Sequence, residues 1–157
     1  AVTVTAGSSN AILNEVFAIT ISANDTVVVD GGGLNLDFDA SVLQVNSVTF
    51  DETVWDFFAE TGDIDNTAGR ISEMRFVSFN DAAIDDFSIA TIEFTAIGLG
   101  SSALSLSLDP LSPFVTSGGV LLDSTLQNGT VTVSEVPLPA AGWLFACALA
   151  GLYRRRK

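Results

Sequence analysis

Chemistry in this chain falls to carboxylates, hydroxyls and aromatic rings, because histidine is absent and Cys147 is the single cysteine. Without histidine the common general base and most transition-metal sites are missing. Asp63, Asp65 and Asn66 are hard oxygen donors spaced somewhat like a calcium loop, but the full ligand run and a distal bidentate glutamate are lacking. A solvated turn therefore competes with a calcium site there, and Asp81, Asp85 and Asp86 form a second acidic loop with the same two readings. Phe50, Trp55, Phe57 and Phe58 interleave with Asp51, Glu52 and Asp56. If exposed, Trp55, Phe57 and Phe58 could stack on sugar faces while the carboxylates accept hydroxyl hydrogen bonds. If buried, the rings seal one end of the body, and burial is preferred because the core needs aromatic bulk. Two carboxylates at a set separation would serve a glycosidase. With 19 acidic residues, however, chance pairs abound, and no catalytic motif surrounds any of them. The expectation is a non-enzyme, with calcium the only cofactor to consider.

Charge is sharply segregated. Two arginines, Arg70 and Arg75, face 19 carboxylates in the body, leaving it at −17, and four cations at the C-terminus bring the chain to −13. Such a body disfavours nucleic acid and anionic membrane surfaces and favours cations, neutral glycans or basic partners. From Ala140 to Tyr153 there are 14 residues without charge. As a helix they would extend about 21 Å, a marginal fit to a hydrocarbon core about 30 Å thick. Trp143 and Tyr153 suit the interfaces, and Arg154, Arg155, Arg156 and Lys157 would stay on the cytoplasmic side. Gly142, Ala146 and Ala150 fall on one stripe, through which such helices could pack against each other. Plain alanine abundance explains the stripe equally well. Cys147, inside this apolar stretch, reads as a small hydrophobe and has no partner for an intrachain disulfide. Ala1-Val2 reads like an N-terminus left by small-residue cleavage.

The order of these features carries a resemblance. Val136, Pro137, Leu138, Pro139 and Ala140, followed by an apolar helix and an arginine-rich end, resemble the VPLPA variant of the PEP-CTERM sorting signals. Leu138 stands where the name-giving motif has glutamate. The resemblance implies a Gram-negative source, Sec export, a transient inner-membrane anchor and recognition by an exosortase-type enzyme that cuts near the prolines. It also implies a connection with exopolysaccharide, biofilm or surface layers.

The elements that must position the side chains are strands. Apolar residues alternate with polar ones at Phe17-Ile19-Ile21, Leu34-Leu36-Phe38, Ile92-Phe94-Ala96, Leu104-Leu106-Leu108 and Val131-Val133. Leu43 and Val45 hold one parity and Val48 and Phe50 the other, predicting a bulge near Asn46-Ser47. Asn24-Asp25, Gly31-Gly32-Gly33, Thr61-Gly62-Asp63, Gly98-Leu99-Gly100 and Asn128-Gly129 read as turns. Residues 1–135 are thus expected to form an antiparallel β-sandwich of about eight or nine strands. A proline-containing linker at 136–139 and an apolar helix with a basic terminus at 140–157 would follow. Val2-Thr3-Val4-Thr5 and Val131-Thr132-Val133-Ser134 look alike and are expected to be neighbouring terminal strands. The Ala1 to Ala6 segment could alternatively be donated to another sheet.

Within the body a second resemblance appears. Gly33-Leu34-Asn35-Leu36-Asp37-Phe38-Asp39-Ala40-Ser41-Val42-Leu43-Gln44-Val45 resembles the cohesin-type signature, with Phe38 and Ala40 in place of the usual tyrosine and proline. Gly62 to Ile71 and Ile89 to Ala96 are similar to later segments of that family. The resemblance implies a cohesin-like jelly roll and a protein-binding module, and no partner-contact residue carries over from it. Together the readings give an exported, non-enzymatic structural protein of the surface or matrix, self-assembled through its C-terminal helix as a homo-oligomer or filament. The alternative is a carbohydrate- or protein-binding adhesion module anchored at the cell surface.

Overall fold

A computed structural model of the chain describes residues 1–137, 147–149 and 151. Leu138 to Ala140 of the sorting motif, Gly142, Ala146 and Ala150 of the stripe, and Arg154 to Lys157 lie outside the described residues. Val136 and Pro137 follow the last strand as exposed chain, and Cys147 is helical and exposed. No described helix is long and apolar enough to cross a membrane.

The body folds into fourteen strands in two facing sheets. They are β1 (Val2–Ala6), β2 (Ser9–Ile12), β3 (Val16–Asp25), β4 (Gly31–Asp37), β5 (Leu43–Phe50), β6 (Phe58–Glu60), β7 (Asp63–Asp65), β8 (Arg70–Val77), β9 (Asp85–Ala96), β10 (Gly100–Leu108), β11 (Val115–Thr116), β12 (Val120–Leu121), β13 (Ser124–Gln127) and β14 (Gly129–Ser134). Eight of them have five residues or more, which accounts for the eight or nine that alternation predicts. The others are short segments that pair only because the tertiary fold aligns them. One sheet has the order β13-β1-β3-β9-β5. The other runs β12-β11-β4-β10-β14-β2, with β8 paired to β4 and carrying β6 and β7.

Alternation turns into burial as period 2 demands. Ile19, Ile21, Leu34, Leu36, Ile92, Phe94, Leu104, Val131 and Val133 all enter one core between the sheets. Phe76 sits at its aromatic centre, with ring centroids 4.5 Å from Trp55, 5.7 Å from Phe114 and 6.1 Å from Phe50. Each such pair adds about 0.5–1.5 kcal/mol beyond area burial. The bulge falls where the parity change predicts it, between Val45 and Ser47 in the β5–β9 register.

Four expectations fail. Asn24-Asp25 is not a turn but the end of β3, paired with Asp86 and Asp85 of β9. Gly31-Gly32-Gly33 is not a turn but the start of β4, paired with Phe76 and Val77 of β8. β1 and β14 do not neighbour each other. β1 lies in the five-stranded sheet between β13 and β3, whereas β14 lies in the other sheet between β10 and β2. The chain reaches both sheets by crossing at Gly7, so β1 and β2 pair in different layers. With both edges of β1 taken by β13 and β3, the first residues have no free edge to donate.

Candidate functional site

Trp55 is only 2 % exposed, and its Nε1 donates to Ser88 O at 3.1 Å. It is a core residue, which removes it as a sugar platform. The chain then turns outward, leaving Phe57 64 % and Phe58 45 % exposed, so the preference for burial fails for these two rings. Phe79 is 66 % exposed and its ring centroid lies 4.3 Å from that of Phe57. Local pattern gives no sign of Phe79, because its partner ring lies on a different strand connection. Asp56 Oδ1 accepts from Phe79 N at 2.8 Å, and Asn80 Nδ2 donates to Thr53 O at 2.7 Å. These two bonds fasten to each other the loops that carry Phe57 and Phe79.

Strand register explains why the rings border a groove. Phe58 pairs with Val77, Val77 with Gly31, Gly31 with Val115, and Val115 with Leu121. Residues directly opposite one another share a face. This single row therefore runs across five strands on the outer side of the nine-stranded sheet, apolar throughout and lacking a side chain at its middle. The result is a hollow of about 530 Å³ with Gly31 on its floor, Phe58, Val77 and Phe79 on one wall, and Pro113 and Val115 on the other.

Two glycines let the 109–116 segment form that second wall. A Cβ at Gly32 would meet the Phe114 ring at 2.7 Å, inside the core. A Cβ at Gly33 would meet the Asp109 and Ser112 Cβ atoms at 2.9 and 2.8 Å, on the outer face. Glycine inside a strand marks a close approach of this kind.

Beside the apolar row lies an ionic one. Arg75, paired in register with Gly33 and Glu60, sends its Nε to Asp109 Oδ2 at 2.8 Å and its Nη2 to within 3.4 Å of Glu73. The hydrogen bond to Asp109 holds the Arg75 guanidinium above its ordinary range. Burial pushes the Asp109 carboxyl up, but hydrogen bonds from Arg75 and from Leu111 N outweigh it and leave the carboxyl below its usual range. The guanidinium is thus committed to tying the loop to the sheet. Asp30 and Arg75 line the groove, exposed Asp56 accepts from Phe79 N on its wall and exposed Glu60 pairs with Arg75. With Arg75 held by Asp109 and Glu73, the carboxylates at its rim outnumber the cations.

The acidic loops have other work. Asp65 Oδ1 accepts from Thr67 N and Ala68 N, each at 2.9 Å, closing a turn. Asn66 Oδ1 accepts from Val45 N at 2.7 Å and its Nδ2 donates to Val45 O at 3.0 Å, so it caps the edge of β5 at the bulge. Asp63 is exposed on β7. Asp85 and Asp86 begin β9, where Asp86 Oδ1 accepts from Asn24 Nδ2 at 3.4 Å, while Asp81 lies on the preceding turn. Among the described residues, no three acidic or cysteine side chains converge closely enough to hold a metal ion. A second hollow, of about 580 Å³, lies on the outer face of the five-stranded sheet. Thr3, Thr5, Ser22, Asn24 and Gln127 line it, with Thr5 Oγ1 donating to Gln127 Oε1 at 3.0 Å and Asn24 Nδ2 to Asp86 Oδ1 at 3.4 Å.

No family model and no curated relative matches the sequence. Solved structures do match in shape. A non-cellulosomal cohesin from the archaeon Archaeoglobus fulgidus aligns with a TM-score of 0.69 at 18% identity, covering 85% of this chain and 91% of that one. The seventh ScaB type I cohesin from Pseudobacteroides cellulosolvens gives 0.68 at 19%, covering 88% and 96%. The sixth cohesin of scaffoldin B from Acetivibrio cellulolyticus, solved in complex with a dockerin, gives 0.71 at 12%, covering 85% and 99%. The body therefore has the cohesin fold, as the Gly33 to Val45 segment led one to expect.

Proposed function

We propose that this chain is a non-enzymatic docking and assembly module of the cell surface or extracellular matrix. Its cohesin-fold body binds protein through the groove between Phe58, Phe79 and Val115. One observation carries the reading: an apolar row five strands wide lies on the outer face of the sheet and forms a hollow walled by the exposed rings of Phe58 and Phe79. Exposed apolar patches rimmed by polar residues mark interaction sites. The loops that carry Phe57 and Phe79 are fastened to each other before any partner arrives, which lowers the backbone entropy lost on binding. The complexes of similarly folded cohesins with dockerins support protein as the ligand class. The tail from Val136 to Lys157 serves as the export address and transient membrane anchor, in keeping with its likeness to PEP-CTERM signals. Its recognition then falls to an exosortase-type enzyme, with biofilm matrix or surface layer as the destination.

A photo-reactive phenylalanine analogue at position 79, with a control at Thr20 on the opposite sheet, tests the docking surface on intact cells. A polypeptide adduct at 79 and none at the control is expected. An absence of polypeptide adducts at 79, or attachment to glycan alone, overturns the reading.

A further inference from the structure

Two ends of this molecule carry complementary chemistry. β10 starts at Gly100, paired with Val133 beside the point where the chain leaves the sandwich, and ends at Leu108, paired with Leu34 beside the groove. Its nine residues set the tail's exit and the groove roughly 27 Å apart, at opposite ends of one sheet. At the groove end the surface is apolar with an acidic rim, and the nearby guanidinium of Arg75 is already held by Asp109 and Glu73. An acidic segment would be repelled there, whereas an apolar segment carrying positive charge meets complementary potential. This chain contains one segment of that chemistry. Fourteen uncharged residues, including Trp143, Leu144 and Phe145, run directly into Arg154, Arg155, Arg156 and Lys157. Apart from Arg70 and Arg75 within the body, these four are the only cations of the chain.

We infer that the segment from Trp143 to Lys157 of one copy docks in the groove of the next. Its apolar side chains cover Phe58, Val77 and Val115, and its cations meet Asp30, Asp56 and Glu60. The inference rests on the reading of the groove as a protein-docking surface, names the partner as a second copy of this chain, and requires that the tail be retained rather than cut near Pro137 and Pro139. Donor and acceptor are different surfaces at opposite ends, so the contact is heterologous and repeats head to tail. Bodies of net charge −17 resist side-by-side pairing, which favours an end-to-end arrangement. Tail charges neutralise the rim at each junction.

The test uses full-length protein and two variants. The groove variant carries Phe58→Asp and Phe79→Asp, both on exposed rings whose loss leaves the core intact. The tail variant carries Arg154→Glu, Arg155→Glu, Arg156→Glu and Lys157→Glu. In sedimentation velocity, wild type is expected to form species larger than dimers, and each variant alone to stay monomeric. Their equimolar mixture is expected to stop at a dimer containing one of each, because it has only one working tail and one working groove. Wild type that stays monomeric at all concentrations, a groove variant that polymerises like wild type, or a mixture without mixed dimers overturns the inference. Should the charged pair lower Tm, Phe58→Ser with Phe79→Ser carries the same expectation. Assembled protein recovered from cells must retain the mass beyond Pro139; a species ending there also overturns it. If the probe at position 79 attaches to a different polypeptide, the docking surface stands and the tail assignment fails. If it attaches to no polypeptide, the underlying reading itself fails.

Discussion

Asn66→Asp separates the two readings of the Asp63 to Asn66 loop. Asn66 spends both ends of its amide on one residue, accepting from Val45 N at 2.7 Å and donating to Val45 O at 3.0 Å. It does so at the bulge of β5, the terminal strand of its sheet, and so stands in for a strand neighbour that β5 lacks. Aspartate would keep the acceptor, lose the donor and set a negative oxygen against a carbonyl. Val45 is 3% exposed, so water reaches that carbonyl poorly. A lost hydrogen bond that leaves its partner unsatisfied costs about 1–3 kcal/mol. For a domain of this size, about 2 kcal/mol corresponds to a fall in Tm of roughly 6 °C. A calcium loop would respond in the opposite direction, since an added carboxylate strengthens cation binding. Thermal unfolding with and without millimolar calcium decides between them. A lower Tm in both conditions is expected, with partial recovery below about pH 4, where the new carboxyl is protonated and regains a donor. An unchanged Tm without calcium, or a Tm restored by calcium, refutes the assignment of Asn66 as a strand-edge clamp.

Other substitutions probe the parts that support the groove. Trp55→Ala should lower stability by about 3–5 kcal/mol, the range for deleting a buried aromatic side chain, as measured by urea unfolding. Gly33→Val should lower Tm and loosen the groove's second wall, because its Cβ would sit against Asp109 and Ser112; hydrogen exchange should speed up over 109–116. Asp109→Asn should lower Tm at neutral pH. Because the folded-state carboxyl lies below its ordinary 3.8, the stability it adds is present above that value and lost as pH falls through the lowered one. The variant should therefore show a shallower loss of stability on acidification, read from Tm against pH.

The long strands were legible because their burial is one-sided, and one-sided burial writes period 2 into the residues. The bulge at Asn46-Ser47 was legible for the same reason, since the apolar parity changes there and nothing else in β5 does. Glycine proved harder. Gly31-Gly32-Gly33 has the composition of a turn, yet it forms a strand whose neighbours crowd against it on both faces; the Phe114 ring beside Gly32 explains why a larger residue is excluded. The terminal strands look alike because both have one face in the core, but alternation does not say which sheet a strand joins. The groove could not be read at all from local pattern. Phe58, Val77, Gly31, Val115 and Leu121 are scattered along the chain, and only the pairing register places them in one row. The ring at Trp55 and those at Phe57 and Phe58 look equivalent in sequence. The reversal of the chain after Val54 and Trp55 is what sends one inward and the others out.

Hydrogen exchange of the full-length protein, compared at high concentration and after dilution, measures the proposed docking of one copy in the groove of the next most directly. Added protection in the assembled state is expected over 57–60, 75–79 and 112–121, the backbone that forms the floor and walls of the groove. Protection confined to the five-stranded sheet, or no difference between the two states, would contradict the docking of one copy's tail in the groove of the next.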